Sequence, residues 1–448
     1  MSKATRALSH PGRLIPVAFS IVLTIGTILL CLPISRTNPV EPPNVLAAAF
    51  TAVSATCITG LSVVDTATYW TPFGQGVIMA LIQVGGFGIM TLATLMAILI
   101  TGRLGLTQSL LAKSESHALS LGDLRGIVRT VGVSMLALET LVALLLTARF
   151  YAHYDDGALP TALWHGFFHA VSAFNNAGFA LYSDNLMGFS GDPWILFPIC
   201  FAIIAGGVGF PVYYELRHRW RKPDAWSVHT KVTLLGYFGL FAIGTVFFGV
   251  SEWNNPGTLG PMGVWDKLVN SVVGGVMPRT AGFNSIDYGK AGEETWAFDA
   301  TMMFIGGGSA GTSGGIKVGT FVLLAFVLWA EIRGEPDVVI GQRRVPYAVQ
   351  REAITVALLA VGVVALGTLG LLITTDHRLA VVLFEACSAF GTTGLSTGIT
   401  PNLPGISQLI LMAMMYIGRV GTITTASALA LNRRHRHYRL PEERPIIG

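Results

Sequence analysis

The chain has 448 residues, of which 52% are hydrophobic and 12% charged, with a formal net charge of +4. Soluble domains carry about a quarter charged residues, so this composition excludes an ordinary soluble fold and predicts an all-α polytopic membrane protein. Four scattered cysteines, Cys31, Cys57, Cys200 and Cys387, show no paired spacing. They support neither a disulfide framework nor a zinc site and read as small buried hydrophobes.

In chain order, the first apolar span covers residues 14–32, long enough to cross about 30 Å of hydrocarbon at ~1.5 Å per residue. It reads as a membrane helix and not as a cleaved leader, because corresponding spans precede three later loops. After it comes FTAVSATCITGL at 50–61, a phrase that returns as FHAVSAFNNAGF at 168–179 and FEACSAFGTTGL at 384–395. A looser copy leads into Arg279-Thr280-Ala281-Gly282-Phe283, with Val276-Met277-Pro278 where the others have Ser-Ala or similar. The closing glycines, Gly60, Gly178, Gly282 and Gly394, recur about every 110 residues, the mark of an internal repeat.

Further apolar spans run over 74–101, 127–150, 194–216, 231–250, 296–330, 351–374 and 405–431. Between the two spans of each repeat lies an apolar stretch too short to cross, which reads as re-entrant. The expected fold is four tandem helix, pore-loop and helix repeats, eight transmembrane helices in all, in pseudo-fourfold arrangement around a central pore. The repeats cover 1–110, with its loop near 56–61; 111–220, with its loop near 174–179; 221–335, with its loop near 278–283; and 336–448, with its loop near 390–395 and a basic tail. Most of the 29 Lys and Arg fall in the N-terminus, the linkers between repeats and the tail, including Arg217, Arg219, Arg221 and Lys222, and Arg433, Arg434, Arg436 and Arg439. These runs read as topology signals and not as a nucleic-acid surface, and they place both termini in the cytoplasm.

Non-helical backbone at membrane depth is tolerated only inside protein or around a wet cavity. Carbonyls turned into a pore can replace an ion's hydration shell, and a glycine can adopt the backbone angles that aim them there. The candidate ion-binding residues are therefore Cys57, Ile58, Thr59 and Gly60; Asn175, Asn176, Ala177 and Gly178; Arg279, Thr280, Ala281 and Gly282; and Gly391, Thr392, Thr393 and Gly394. They include no carboxylate, which favours a monovalent over a divalent cation.

The motifs and their order resemble the Trk/Ktr/HKT superfamily of potassium transporters, and the likeness runs from about residue 14 to 431. A glycine at the position of Gly60 implies potassium as the transported ion, where sodium-selective members carry serine. The resemblance also implies a homodimer in the plasma membrane. It further implies a separate cytosolic ring of nucleotide-binding regulatory subunits docked on the basic linkers and tail, so that nucleotide acts only through that partner.

A second repeated feature follows each loop: Gly85-Gly86-Phe87-Gly88, Gly206-Gly207-Val208-Gly209, Gly306-Gly307-Gly308 and Gly418-Arg419-Val420-Gly421. Arg419 replaces the second glycine, and a charge at this depth should face the interior; it is expected to oppose cations in the pore below the loops. The third copy extends through Ser309, Gly311, Thr312, Gly314 and Gly315 to Lys317. Its span, about 52 Å if wholly helical, is too long for one crossing, so a break is expected and the segment 306–317 reads as a plug. The resemblance implies an intramembrane gating loop at the same place. The G-x-G-x-x-G that it contains lacks a βαβ context and is not a dinucleotide site.

No catalytic set emerges, so the chain is not read as an enzyme. His165 and His169 are spaced for a metal but lack a third ligand, and Glu139 and Glu385 fit helix bracing better than proton shuttling. The alternatives to a channel-like potassium pore are a sodium- or proton-coupled potassium carrier and a membrane enzyme or receptor scaffold.

Overall fold

The computed structural model describes residues 11–103 and 124–421. The first inter-repeat linker around 104–123 and the basic tail with Arg433, Arg434, Arg436 and Arg439 lie outside the described residues. So does the end of the span expected at 405–431.

The plan of helix, pore helix with loop, and helix occurs four times. The first repeat comprises α1 (Pro11–Cys31), α2 (Val45–Cys57) and α3 (Pro72–Arg103), and the second α4 (Leu124–His153), α5 (Leu159–Phe174), α6 (Pro193–Val208) and α7 (Phe210–Arg219). The third comprises α8 (Val228–Glu252), α9 (Val264–Val276), α10 (Glu293–Phe304) and α11 (Val318–Arg333). A short hairpin, β1 (Val339–Ile340) with β2 (Arg343–Arg344), precedes the fourth repeat of α12 (Tyr347–Thr374), α13 (Leu379–Gly391) and α14 (Gly405–Tyr416), which runs into a π-turn at Ile417–Gly421. The pore helices α2, α9 and α13 have 13 residues and α5 has 16. At ~1.5 Å per residue they end inside the hydrocarbon layer. Among the described residues, α8, α12 and Arg129–His153 of α4 are each long and apolar enough to cross in one piece.

The inner helices differ, and the glycine motifs explain how. Helix α3 runs unbroken through Gly85–Gly88. The span expected to be straight over 194–216 instead bends by 95° between α6 and α7. Gly209 at φ +95° makes the corner, and Pro211, in the first turn of α7, suits a helix start because its missing N–H is not needed there. In the third repeat the expected break is present, since α10 stops at Phe304 and α11 starts at Val318. In three repeats the first glycine of the motif lets the inner helix lie on the end of its own pore helix. A Cβ at Gly85, Gly206 or Gly418 would sit 2.1, 1.7 or 1.9 Å from the carbonyl oxygen of Thr56, Phe174 or Phe390.

The repeats close on themselves. Helix α3 packs on the pore helix α5 of the second repeat, α6 on α9, α10 on α13, and α14 on α2. A further tie runs from α14 to α1, where the Tyr416 hydroxyl donates to the Pro16 carbonyl at 2.9 Å. All four cysteines are free, with Cys57, Cys200 and Cys387 buried in the main apolar cluster.

Side chains on the pore helices anchor the chain where it leaves the loops. The position after the leading phenylalanine of the repeated phrase is Glu385 in the fourth repeat. Its carboxylate accepts from Ser396 Oγ at 2.6 Å, Thr397 N at 2.9 Å, Thr397 Oγ1 at 3.2 Å and Thr400 Oγ1 at 2.9 Å. In the second repeat the same position is His169, whose Nε2 accepts from Leu181 N at 3.3 Å while Nδ1 donates to the His165 carbonyl at 2.7 Å. Both residues therefore brace the fold. Glu385→Ala leaves buried donors without an acceptor and should destabilise the protein by about 1–3 kcal/mol, with Glu385→Gln intermediate. Thermal unfolding in detergent measures this, and an unchanged melting temperature for Glu385→Ala would contradict it.

Candidate functional site

Each of the four loops leaves its pore helix through the same sequence of backbone states. A non-glycine residue takes positive φ first: Ile58 at 58°, Asn176 at 59°, Thr280 at 67° and Thr392 at 49°. Two residues later the glycine does so again: Gly60 at 90°, Gly178 at 71°, Gly282 at 73° and Gly394 at 94°. For β-branched Ile58, Thr280 and Thr392 this conformation is strained, and four recurrences in phase show that the loop geometry imposes it. The strain is held by short tethers to the pore helix. Thr59 N donates to Ser54 O at 2.7 Å, Ala177 N to Ser172 O at 2.7 Å and Thr393 N to Ser388 O at 2.8 Å. Gly60 N and Gly394 N donate to Ser54 Oγ and Ser388 Oγ, both at 3.0 Å, and Ser172 Oγ donates to Phe179 O at 2.8 Å. The serine of the repeated phrase is thus the loop anchor.

The glycines meet in one closed ring. A Cβ on Gly60 would lie 2.4 Å from Ala177 O, on Gly178 2.9 Å from Ala281 O, on Gly282 2.4 Å from Thr393 O, and on Gly394 2.1 Å from Thr59 O. Each loop therefore backs onto the carbonyl of the next, in chain order, until the fourth returns to the first. No side chain fits between them.

In the first three quartets the side chain of the first member, Cys57, Asn175 or Arg279, is engaged away from this ring. Cys57 lies in the apolar core. Asn175 Nδ2 donates to Glu139 Oε1 at 2.9 Å, Gln83 Oε1 at 3.1 Å and Val171 O at 2.9 Å, and Gln83 Nε2 donates to Glu139 Oε2 at 2.9 Å. This network joins α3, α4 and the second loop. It answers the question of Glu139, and Gln83 is the member that the sequence did not single out. The third loop has Val276 at the serine position and lacks that anchor. Arg279, fully buried, reaches Gly306 O at 2.9 Å and lies 5.4 Å from the ring centre of Tyr237. Its tether therefore runs to the broken inner helix. Nothing in the repeat pattern marked Tyr237.

The segment between α10 and α11 folds into the centre of the bundle directly against the loops. Its two strands are held by Gly306 N to Ile316 O at 2.7 Å, Ile316 N to Phe304 O at 3.2 Å and Val318 N to Gly307 O at 3.0 Å. Toward the second repeat, Gly308 N donates to Gly207 O at 2.8 Å and Thr312 N to Gly206 O at 3.1 Å. Thr312 Oγ1 donates to Phe174 O at 3.3 Å, and the Asn176 amide pairs with Ser313 Oγ at 3.1 Å. Toward the fourth repeat, Gly314 lies where a Cβ would be 2.1 Å from Thr392 Oγ1, and Arg419 Nη1 donates to Thr312 O. Lys317 Nζ donates to Ser313 O. Thr312, Ser313 and Arg419 are at most 2% exposed. Two cations thus grip the tip of a small-residue loop pressed under two of the four loops, and the residues that the sequence singled out in separate repeats are brought together.

Gly178→Ala would add a methyl 2.7 Å from the Gly282 Cα at a φ of +71°. It should lower the thermal unfolding temperature in detergent by an amount equivalent to about 1–2 kcal/mol or more. Gly239→Ala, whose Cβ would meet nothing within 4 Å, should not lower it; equal shifts for the two would contradict the close-packed ring.

The family model described as "TrkH: Cation transport protein" matches residues 3–433. The chain is 40% identical to the Ktr system potassium uptake protein B of Bacillus subtilis over 420 residues, covering 94% of this chain and 93% of that protein. It is 33% identical to the potassium/sodium uptake protein NtpJ of Enterococcus hirae over 457 residues, covering 100% of this chain and 99% of that protein. Among solved structures it is similar to the potassium transporter TrkH from Vibrio parahaemolyticus, with a TM-score of 0.69 and 17% identity over 91% of this chain and 84% of that one. A closed fourfold ring of loop backbone, a loop packed beneath it and a family match over nearly the whole length agree: the chain belongs to the TrkH family of cation transport proteins.

Proposed function

We propose that this protein is the membrane subunit of a potassium uptake system, conducting potassium through a channel-like pore. The observation that carries this reading is the ring in which Gly60, Gly178, Gly282 and Gly394 each abut the carbonyl of the next loop. Backbone oxygens so placed can take over the hydration shell of a dehydrated ion, and with no carboxylate among them they suit a single positive charge. The filter residues are the four quartets 57–60, 175–178, 279–282 and 391–394, acting through backbone, with Asn175 and Arg279 bracing from behind. The names of the Bacillus subtilis and Vibrio parahaemolyticus relatives point to potassium as the ion.

The segment 306–317, comprising Gly306, Gly307, Gly308, Ser309, Gly311, Thr312, Gly314, Gly315 and Lys317, is the gate, and Arg419 is its latch. In the described conformation the loop tip blocks the space beneath the filter, and the positive charges of Arg419 and Lys317 oppose a cation there. The basic linkers put the N- and C-termini in the cytoplasm of a plasma-membrane protein. A cytosolic ring of nucleotide-binding subunits, docked on the linkers and tail of a homodimer, supplies the signal that releases the gate, so nucleotide acts only through that partner. A coupled carrier is the second reading, favoured by the paired ions in the name of the Enterococcus hirae relative.

Potassium and sodium fluxes in proteoliposomes under defined gradients test the first reading. Potassium should pass without a second ion, and dependence on a sodium or proton gradient would establish the carrier instead. Gly60→Ser, which forces a side chain toward Ala177 O at φ +90°, should reduce the potassium-to-sodium ratio about tenfold, the effect of ~1.4 kcal/mol; an unchanged ratio would remove the filter assignment. Arg419→Ala, or replacement of residues 306–315 by a short linker, should raise basal flux several-fold without the cytosolic partner, and unaltered flux in both would remove the gate.

A further inference from the structure

Helix α7 leaves the bundle sideways. It turns 95° from α6, so an α6 that follows the bilayer normal sends α7 parallel to the membrane plane. Phe210 and Val212 are buried, whereas Tyr214, Arg217, His218, Arg219, Trp220, Arg221 and Lys222 are exposed. Trp220 is 63% exposed and carries the Arg221 guanidinium 4.7 Å from its ring centre. Glu215 accepts from Ser227 N at 2.8 Å, Ser227 Oγ at 2.6 Å and Thr230 Oγ1, fastening α7 to the start of α8; its charge also attracts Arg219, whose Nη1 donates to Ala225 O at 3.2 Å. Asp224, in the following turn, is exposed. Among the described residues Arg217, Arg219, Arg221 and Lys222 form no ion pair.

An in-plane helix that ends in exposed aromatic and basic side chains suits the headgroup layer of an anionic membrane. On α6, before the corner, Trp194, Phe197 and Phe201 are exposed, as on a lipid-facing helix. An acidic protein surface would satisfy the same charges but would not account for the right-angle turn or for the tryptophan set among them. The same helix is joined to the segment beneath the loops. At the corner, a Cβ on Gly209 would lie 2.5 Å from Ser309 O, and Phe210 N donates to Ala310 O at 3.4 Å.

We propose that α7 and the turn after it bind anionic phospholipid headgroups through Arg217, Arg219, Arg221, Lys222 and Trp220, and that this docking holds the segment 306–317 in its blocking position. Each cation contributes roughly a fivefold preference for an anionic over a neutral surface. Because α7 and the segment share the Gly209 corner, lifting the helix from the surface withdraws the backbone on which Ser309 and Ala310 rest. Only the flux consequence relies on the gate reading above.

The full-length protein carrying Arg217→Gln, Arg219→Gln, Arg221→Gln and Lys222→Gln together is compared with the unaltered protein and with a variant carrying lysine at the three arginine positions. The first measurement is phosphatidylglycerol retained through purification in a neutral detergent and quantified by mass spectrometry. The glutamine variant should retain at least fivefold less at the helix, and the lysine variant should retain nearly as much as the unaltered protein. Equal retention by the glutamine variant overturns the proposal, whether or not that variant still binds a soluble nucleotide-binding partner. The second measurement is ion flux in phosphatidylcholine vesicles with and without phosphatidylglycerol. Added phosphatidylglycerol should lower flux several-fold for the unaltered protein and leave the glutamine variant unaffected; an equal response overturns the coupling. Absence of flux from every protein in every vesicle would instead count against the transport reading and leave the retention result standing.

Discussion

The structure depends on how closely one backbone can approach another when no Cβ intervenes. In a bilayer a carbonyl must be paired or must face a wet interior, and glycine removes the atom that would keep two chains apart. This chain uses that freedom at two levels. At the ring, Gly60, Gly178, Gly282 and Gly394 bring each loop against the next. One layer lower, Gly85, Gly206 and Gly418 seat the inner helices on the carbonyls that end the pore helices. Remove the approach and neither the ring nor the inner wall of the bundle closes.

Symmetry in the ring is set against asymmetry beneath it. Helix α3 is continuous, α6 turns a corner, α10 breaks off and α14 relaxes into a π-turn. The four repeats therefore share their loops but not their inner helices, and the broken third helix fills the space that four equal ones would leave open. Arg279 and Arg419 both serve this filling loop, one holding Gly306 from the third loop and the other Thr312 from the fourth inner helix. A symmetric site fits an ion that is indifferent to direction, whereas an asymmetric element beneath it can be moved by a signal from one side.

Much of this was legible in the sequence because glycine and serine at fixed places in a repeated phrase report directly on backbone. Gly60 and its counterparts, the short pore helices and the excess length of 296–330 each follow from spacing and length. The 95° turn after Val208 was not legible: the apolar run over 194–216 continues through it, and only Gly209 with Pro211 hints at a corner that any straight span would hide. The braces were hidden for another reason. Gln83, Glu139 and Asn175 come from two repeats, as do Tyr416 and Pro16, and a pairing between residues far apart leaves no mark in local pattern. Histidine and glutamate at one repeated position, His169 and Glu385, look unrelated until the structure shows both holding the chain as it leaves the loop.

The contact of α14 with α2, together with the bond from Tyr416 to Pro16 of α1, also governs how the molecule is made. A chain emerging from its N-terminus has its first pore helix in the membrane long before the helix that will cover it exists. Until the fourth repeat arrives, Thr59 has no neighbour on one side and the loop under the ring has no Arg419 to seize. The central passage is thus assembled last, by the final helix, and an incomplete chain is an open wedge in the bilayer and not a smaller pore. Stability of the whole is then a property of the closure, so that damage at the seam between the first and last repeats acts on every loop at once.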